Sequence, residues 1–353
     1  MDGMLTPIGG PTAWRGEALS ARGFWARRFT GYELELLDEA LAACDRDPPA
    51  LRRQHFHIPL LEPLWTTLGR ELENGAGVVR LSGIPVEQYS AQQLKRLFWG
   101  ICVNLGTPLP QNTTGEILAE VKDEQGAAMA AEGGVLTARA RSRSTGPLRF
   151  HTDKCDLLAL MCASNGIAGG VSRVVSTIAI HDEIARIRPD LLEVLYRDVW
   201  RRRPADEEGP RARPEDALFR MPVFARGPDG AFTSQYSRTY VEMAHGSEGI
   251  PALTTEQTAA LDLLAEVADA LCVEAPFTPG DIQVLNQHVT YHGRTAYSDD
   301  AAAGARRVLL RVWLAHAHSR ALPAGHAAQW GSTAAGALRG GAIPGHSAFE
   351  GHG

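Results

Sequence analysis

After residue 150 the chain returns repeatedly to short apolar runs of strand length, and that recurrence restricts its architecture more than any other feature. Leu157–Cys162, Val171–Ser176, Asp281–Leu285 and Val308–Leu314 each read as a buried strand. Two segments of helical spacing, Ile180–Tyr196 and Thr255–Leu271, fall between them. A doubly wound parallel sheet would alternate strand and helix regularly. Here the helices interrupt a β-rich half at uneven intervals, so the pattern predicts an α+β chain with a β-rich core and helical insertions.

The first half reads differently. Helical spacing covers Glu33–Cys44, with Thr30 as a candidate N-cap, then Leu60–Glu73, then Ser90–Leu105 with Ser90 as cap. Between the last two, Gly77–Leu81 reads as a buried strand closed by the turn Ser82-Gly83-Ile84-Pro85. Residues 1–20 are punctuated by Gly and Pro and predict a loose arm, residues 21–320 a single domain, and the Gly/Ala/His-rich residues 321–353 a tail. Residues 124–146 are polar and aperiodic, and a loop of that length beside candidate chemistry predicts a lid. An idle surface loop fits the same composition almost as well.

Several function classes are excluded by charge and composition. The formal net charge of −6 argues against a polyanionic partner such as nucleic acid. The short basic runs Arg201–Arg203 and Arg139–Arg143 read as solvated loop charge. No apolar run is long enough to span a membrane. The five cysteines are scattered without metal or disulfide spacing, and no signal-peptide pattern opens the chain, which together predict a reducing cytoplasm. No feature sets an oligomeric state.

Three segments carry candidate chemistry. Phe150-His151-Thr152-Asp153, read as a strand, would turn His151 and Asp153 to one face, where imidazole and carboxylate can share a metal. Such triplets also arise by chance. Far downstream, Pro279-Gly280-Asp281 turns into a strand followed by His288 and His292, either of which completes a two-histidine, one-carboxylate set. Finally, Arg306-Arg307-Val308-Leu309-Leu310-Arg311 places arginines on a core strand, where they are costly unless paired. A guanidinium fork there suits a dicarboxylate; surface carboxylates flanking the strand are the plainer alternative.

The order and separation of these segments resemble the taurine-dioxygenase family, which includes clavaminate synthase. His151-Thr152-Asp153, Gly169-Gly170-Val171-Ser172, His292-Gly293-Arg294 and the Arg306–Arg311 run carry the resemblance, over roughly Gly77 to Leu314. Gly83-Ile84-Pro85, Leu105-Gly106-Thr107-Pro108, Gln111-Asn112 and Arg188-Pro189-Asp190-Leu191-Leu192 extend it. The resemblance implies a double-stranded β-helix (jelly-roll) core with flanking helices. It implies an iron(II) enzyme that consumes 2-oxoglutarate and dioxygen and releases succinate and CO2 while oxidising a small organic substrate, for instance in secondary metabolism.

Residue by residue, the resemblance makes His151, Asp153 and His292 the metal ligands. Arg307 grips the distal carboxylate of 2-oxoglutarate, Ser172 supplies a hydroxyl to it, Arg311 lies near the metal-side carboxylate or the substrate, and Asn112 faces the same pocket. The His292–Arg307 gap is longer than in taurine dioxygenase, so Arg306 remains an alternative to Arg307. The stretch Ala138–Leu148 departs from the family and leaves the substrate open. Related halogenases carry a small residue in place of the carboxylate, so Asp153 implies hydroxylation or desaturation.

Other histidines fit bland readings. His55 and His57 form an HxH pair, His316 and His318 form another that carries no linked carboxylate and suits an exposed strand end, His181 reads as a surface residue, and His326, His346 and His352 as solvated tail. Cys155 reads as a packed core thiol. A zinc hydrolase could use the same ligands but would have no use for Arg307 and Ser172. A non-catalytic binding protein would be expected to lose a ligand, and all three are present.

Overall fold

The structure, a computed structural model, describes residues 5–21, 25–124, 131–132, 135–136, 141–204, 217–300 and 302–342. Its helices begin where side chains can take up the free N–H groups of the first turn. Thr30 accepts from Glu33 N at the head of Gly31–Ala43, and the Glu33 carboxylate takes the Thr30 N–H in return. The same reciprocal pair recurs at Ser90/Gln93 before Ala91–Leu105 and at Thr254/Gln257 before Thr255–Leu271. The helix expected over Ile180–Tyr196 is two helices, Thr177–Ile187 and Pro189–Leu195. Pro189 cannot donate to the preceding turn and forces Arg188 out of helical geometry (φ −149, ψ 70), so the break falls there.

Two sheets make the core. The larger runs in the order Ala26–Arg28, Val78–Ser82, Ile282–Asn286, Leu157–Ser164, Val308–Ala315, Thr107–Leu109, with Ala119–Val121 also pairing the Val308–Ala315 strand. The smaller runs Val273–Ala275, Ser172–Ser176, Thr290–Arg294, Leu148–His151. Within both, every ladder is antiparallel except the edge pair Ala26–Arg28 with Val78–Ser82.

Strand periodicity sorts the side chains between layers. Leu157, Ala159 and Met161 join Leu310, Val312 and Leu314 against the helices Gly31–Ala43, Glu62–Asn74 and Ala91–Leu105. Their alternates Leu158, Leu160 and Cys162 meet Leu309, Trp313, Val174 and Val273 between the sheets. The outer face of the smaller sheet (Phe150, Val175, Tyr291) packs on Thr177–Ile187, Pro189–Leu195 and Thr255–Leu271. The result is a jelly-roll core of two facing sheets with helices on both outer sides. Each fully buried Leu or Val contributes roughly 1.5–3 kcal/mol, which lets the inner layer carry polar residues. By parity Arg307 and Arg311 lie on the inner face with Leu309 and Trp313, and Ser172, His292 and Arg294 face them.

Both chain ends depart from expectation. The residues expected as a loose arm are tied down from residue 5 on: Trp14 and Leu19 are buried, Trp14 Nε1 donates to Ala76 O, and the Asp182 carboxylate accepts from Ile8 N and Gly9 N. The expected tail is packed through residue 342, while residues 343–353 lie outside the described residues. Trp330 and Arg339 are fully buried, Gly341 N donates to Lys154 O, and Ala342 N donates to Pro110 O. His326 is buried rather than solvated. Neither end has an amphipathic face, because a few large side chains and backbone hydrogen bonds hold it. Most of the expected lid, residues 125–130, 133–134 and 137–140, lies outside the described residues.

Candidate metal centre and the pockets beside it

His151 ends its strand and pairs in register with His292 on the neighbouring strand, their rings 4.2 Å apart. His151 Nε2 lies 3.7 Å from Asp153 Oδ1. One ligand atom from each of His151, Asp153 and His292 falls within 4.8 Å of the others, and no other such group of three occurs among the described residues. Asp153 is not on the strand, as the spacing had suggested, but in the turn after it. Long-range partners aim it instead: Gln287 Oε1 accepts from Asp153 N at 2.7 Å, and Trp313 Nε1 donates to Oδ2 at 2.8 Å. Gly293 lets the two strands close here, since a Cβ would stand 2.7 Å from Leu148 O.

The ionisation states suit a divalent cation. The Arg149 carbonyl, 2.9 Å from His151 Nδ1, can only accept, so Nδ1 carries the proton and Nε2 offers its lone pair. Burial pushes both imidazoles down, His292 to about 3 with His151 adding to the effect, so both are neutral. Burial opposes ionisation of Asp153, but the Arg311 guanidinium and the Trp313 hydrogen bond outweigh it and hold the carboxyl below its usual range. His292 Nδ1 is buried without a hydrogen-bond partner. Two neutral imidazoles and one anionic carboxylate form the donor set that suits iron(II) with positions left open.

Two recesses meet at this group. One, with about 40 Å³ of cavity volume, is lined by His292, Ser172, Arg294, Arg307 and Arg311. Arg307 is 3% exposed, its Nη1 has no partner, and among the described residues no carboxylate lies within ion-pair distance. Gly170 (φ +68) makes room for it, because a Cβ there would lie 2.5 Å from Arg307 Nε, and the Gly170 carbonyl accepts from Nη2 at 3.3 Å. That is the physical role of the second glycine in Gly169-Gly170-Val171-Ser172. Ser172 Oγ donates to Gln283 Oε1 at 3.1 Å. Arg306, by contrast, is exposed and does not line this recess.

The other recess, with about 50 Å³ of cavity volume, is lined by His151, Asp153, Trp313, Arg311, Gln111 and Arg201 among others. Arg311 Nη1 lies 3.6 Å from Asp153 Oδ2, and its Nε donates to Gln111 Oε1 at 2.7 Å. Asn112 does not line either recess. Its Oδ1 accepts from Thr114 N and Glu116 N and so shapes its own loop, and the neighbouring Gln111 faces the site instead. His288 stands apart from the metal group: Nε2 donates to Asp156 Oδ1 at 2.8 Å, and Arg339 Nε donates to the same oxygen at 2.9 Å.

Other expectations fail for the same reason, namely long-range pairing. His181 is fully buried against Asp182 and Tyr196. His316 is buried, its Nδ1 donating to Leu105 O, while His318 is exposed. Arg201 is a buried strand residue rather than solvated loop charge. Cys155 is the packed core thiol expected, though in the turn rather than on a strand. Sequence reasoning assigned no role to Gln111, Trp313, Gln287, Arg201 or Arg294. Gln111 carried a local signal in Gln111-Asn112, and Arg294 as the last residue of His292-Gly293-Arg294; Arg294 donates to the carbonyls of Gly146, Arg141 and Ser144 and so pins residues 141–146 beside the site.

Comparison with known proteins agrees with this geometry. FR-33289 synthase of Streptomyces rubellomurinus (strain ATCC 31215) is 28% identical over 275 residues, covering 75% of this chain and 77% of the relative. Asparagine oxygenase in complex with Fe(II), 2S,3S-3-hydroxyasparagine and succinate superposes with a TM-score of 0.60 at 18% identity, covering 85% of this chain and 98% of that one. The non-heme iron oxygenase OrfP in complex with Fe and alpha-ketoglutaric acid gives 0.61 at 16% identity, covering 82% and 93%. Residues 47–313 match the model for the taurine catabolism dioxygenase TauD, TfdA family, and the chain belongs to that family of iron(II)- and 2-oxoglutarate-dependent oxygenases.

Proposed function

We propose that His151, Asp153 and His292 hold the iron, that 2-oxoglutarate occupies the smaller recess with its distal carboxylate on Arg307, and that a small organic substrate enters the larger one for hydroxylation or desaturation. The observation that carries this reading is the unpaired, buried Arg307 guanidinium in a recess that is also lined by His151 and His292. A buried cation without a partner is costly, and a dicarboxylate anchored near the metal supplies that partner. Ser172, beside it, offers a hydroxyl within the same recess.

Iron with 2-oxoglutarate, when bound, supplies the oxidising chemistry of dioxygen activation. The chain's part is placement. His151 presents a lone pair because Arg149 O fixes its tautomer. Asp153 presents Oδ1 because Trp313 and Arg311 hold Oδ2. Leu160 and Leu309 wall the cosubstrate recess against water. Asn112 acts one step removed, by shaping the loop that carries Gln111. The substrate class is a small molecule, in keeping with the hydroxylated asparagine and arginine named with asparagine oxygenase and OrfP. Five free cysteines, four of them buried, favour a reducing compartment, the cytoplasm.

The test is anaerobic. Iron(II) and 2-oxoglutarate added together should give a weak visible charge-transfer band, and admitting oxygen should yield succinate. Zinc supporting full turnover without oxygen uptake would overturn the reading.

A further inference from the structure

Residues 320–342 lie beyond the stretch 47–313 that matches the family, yet they close over the turn that carries Asp153. Pro323 opens the 3-10 turn Ala324–His326, which runs on into the single helical turn Ala327–Trp330 and stops at Gly331 (φ +76). The segment is clamped on both sides of that turn. Gly341 N donates to Lys154 O at 2.7 Å, Arg339 Nε donates to Asp156 Oδ1 at 2.9 Å, and the Trp330 ring lies 4.9 Å from that of His288. Trp330 is fully buried, which fixes the rotation of the helical turn, and its neighbour Gln329 lines the larger recess with His151 and Asp153.

Gln329 is 5% exposed, and its Oε1 is buried without a hydrogen-bond partner among the described residues. The other two glutamines on the recess wall are engaged at both ends of the amide. Gln111 Nε2 donates to Ile117 O and Arg311 O, and its Oε1 accepts from Arg311 Nε. Gln235 Oε1 accepts from Thr152 Oγ1 at 3.1 Å, and its Nε2 donates to Gln287 O at 3.4 Å. Where this wall uses an amide for structure, both of its ends are satisfied. A buried amide oxygen left without a donor is costly, and the Gln329 oxygen belongs to a side chain on the recess wall.

We infer that Gln329 is a specificity-determining residue that binds an uncharged N–H or O–H donor on the primary substrate, a carboxamide or a hydroxyl. This rests on the assignment of the larger recess to the substrate. A carbonyl oxygen can only accept, so its partner must donate. The guanidinium groups of Arg201 and Arg311 line the same recess, so an ammonium donor would meet like charge there. A molecule of the same size with no donor leaves Oε1 unpaired and binds less well. The clamps at Lys154 and Asp156, which flank Cys155 just after Asp153, set the bound group at a fixed place relative to the metal ligands. Gln329 takes no part in the oxidation.

The experiment uses the full chain loaded with iron(II), saturated with 2-oxoglutarate and kept anaerobic. Ligand-observed NMR titrations compare butanamide and butanol, which donate, with methyl butanoate, which does not, and with butylamine, which is cationic at neutral pH. At least one of the two donors should bind about tenfold more tightly than both methyl butanoate and butylamine, the scale of one hydrogen bond to a buried group. The tighter of the two names the group. Gln329→Met, close in shape and without the amide, should erase the preference while leaving 2-oxoglutarate affinity and the thermal midpoint unchanged or raised. Gln329→Asn, which keeps the amide on a shorter stem, should retain part of the preference and serves if the methionine variant does not fold. Neither donor binding more tightly than methyl butanoate would overturn the inference, as would butylamine binding the most tightly of the four. So would a Gln329→Met protein that keeps the preference, or one that melts lower and loses 2-oxoglutarate affinity, since the amide would then serve packing. The charge-transfer band is recorded on the same samples, so failure of the iron and 2-oxoglutarate reading is seen separately from failure of the donor preference.

Discussion

Replacing Arg307 with methionine should weaken 2-oxoglutarate binding strongly while leaving the ligand-free fold as stable as before. Arg307 is buried, and its guanidinium meets one carbonyl, Gly170 O at 3.3 Å, and the Tyr297 ring at 5.2 Å. Burial lowers its pKa, a sign that the site does not compensate the charge by itself. Its backbone N–H, which donates to Asp299 Oδ1, survives the substitution. Removing one partner of a buried, hydrogen-bonded charge pair costs about 2–5 kcal/mol in binding. At tenfold per 1.4 kcal/mol, that is roughly a 30- to 4,000-fold loss of 2-oxoglutarate affinity. In the ligand-free protein the same change removes an unpaired buried cation, so stability should stay level or rise by about 1 kcal/mol. Anaerobic titration of the charge-transfer band measures the first quantity and urea unfolding of the metal-free protein the second. A variant that binds 2-oxoglutarate within about threefold of the parent, or that loses about 3 kcal/mol or more of ligand-free stability, would refute the reasoning. Arg306→Met, at an exposed position, is the control and should change neither.

Three further outcomes follow from the same contacts. His292→Ala should abolish iron binding in equilibrium dialysis, whereas His288→Ala should lower stability but keep the iron, because His288 bonds to Asp156 rather than the metal group; the opposite result would exchange their roles. Burial holds His288 at about 4 and His326 at about 3, against about 6.5 in the unfolded chain. Both are neutral in the fold, so the unfolded state binds more protons below pH 6.5, and stability should fall between pH 6.5 and 4 by roughly 1 kcal/mol per pH unit for each histidine. Urea midpoints across that range check the slope, and His326→Phe should flatten it. Arg339→Met leaves Asp156 short of a buried cation and should cost about 3–5 kcal/mol, with limited proteolysis showing residues 319–342 released first; unchanged protection would mean that backbone hydrogen bonds alone hold that segment.

Much of the fold and the metal group could be read locally, for a physical reason. Helix starts are set by side chains three residues apart, so Thr30 and Ser90 announced themselves. Strand parity places Arg307, Leu309, Arg311 and Trp313 on one face however the strand is packed. Motif order distinguished His292 from His288 only by resemblance. Tertiary structure gives His288 a partner in Asp156 and a neighbour in Arg339, away from His151 and Asp153.

The amino-acid sequence by itself thus determined the β-rich core and the arginine-bearing strand, because each depends on neighbours within a few residues. Only the tertiary structure buried Arg307 and left Arg306 exposed, set Gln111 rather than Asn112 at the recess, brought Arg201 there, and packed both chain ends. Those outcomes depend on which buried charge meets which partner. A buried charge is stabilised or left unpaired by groups far away in the chain, and no local period encodes that distance.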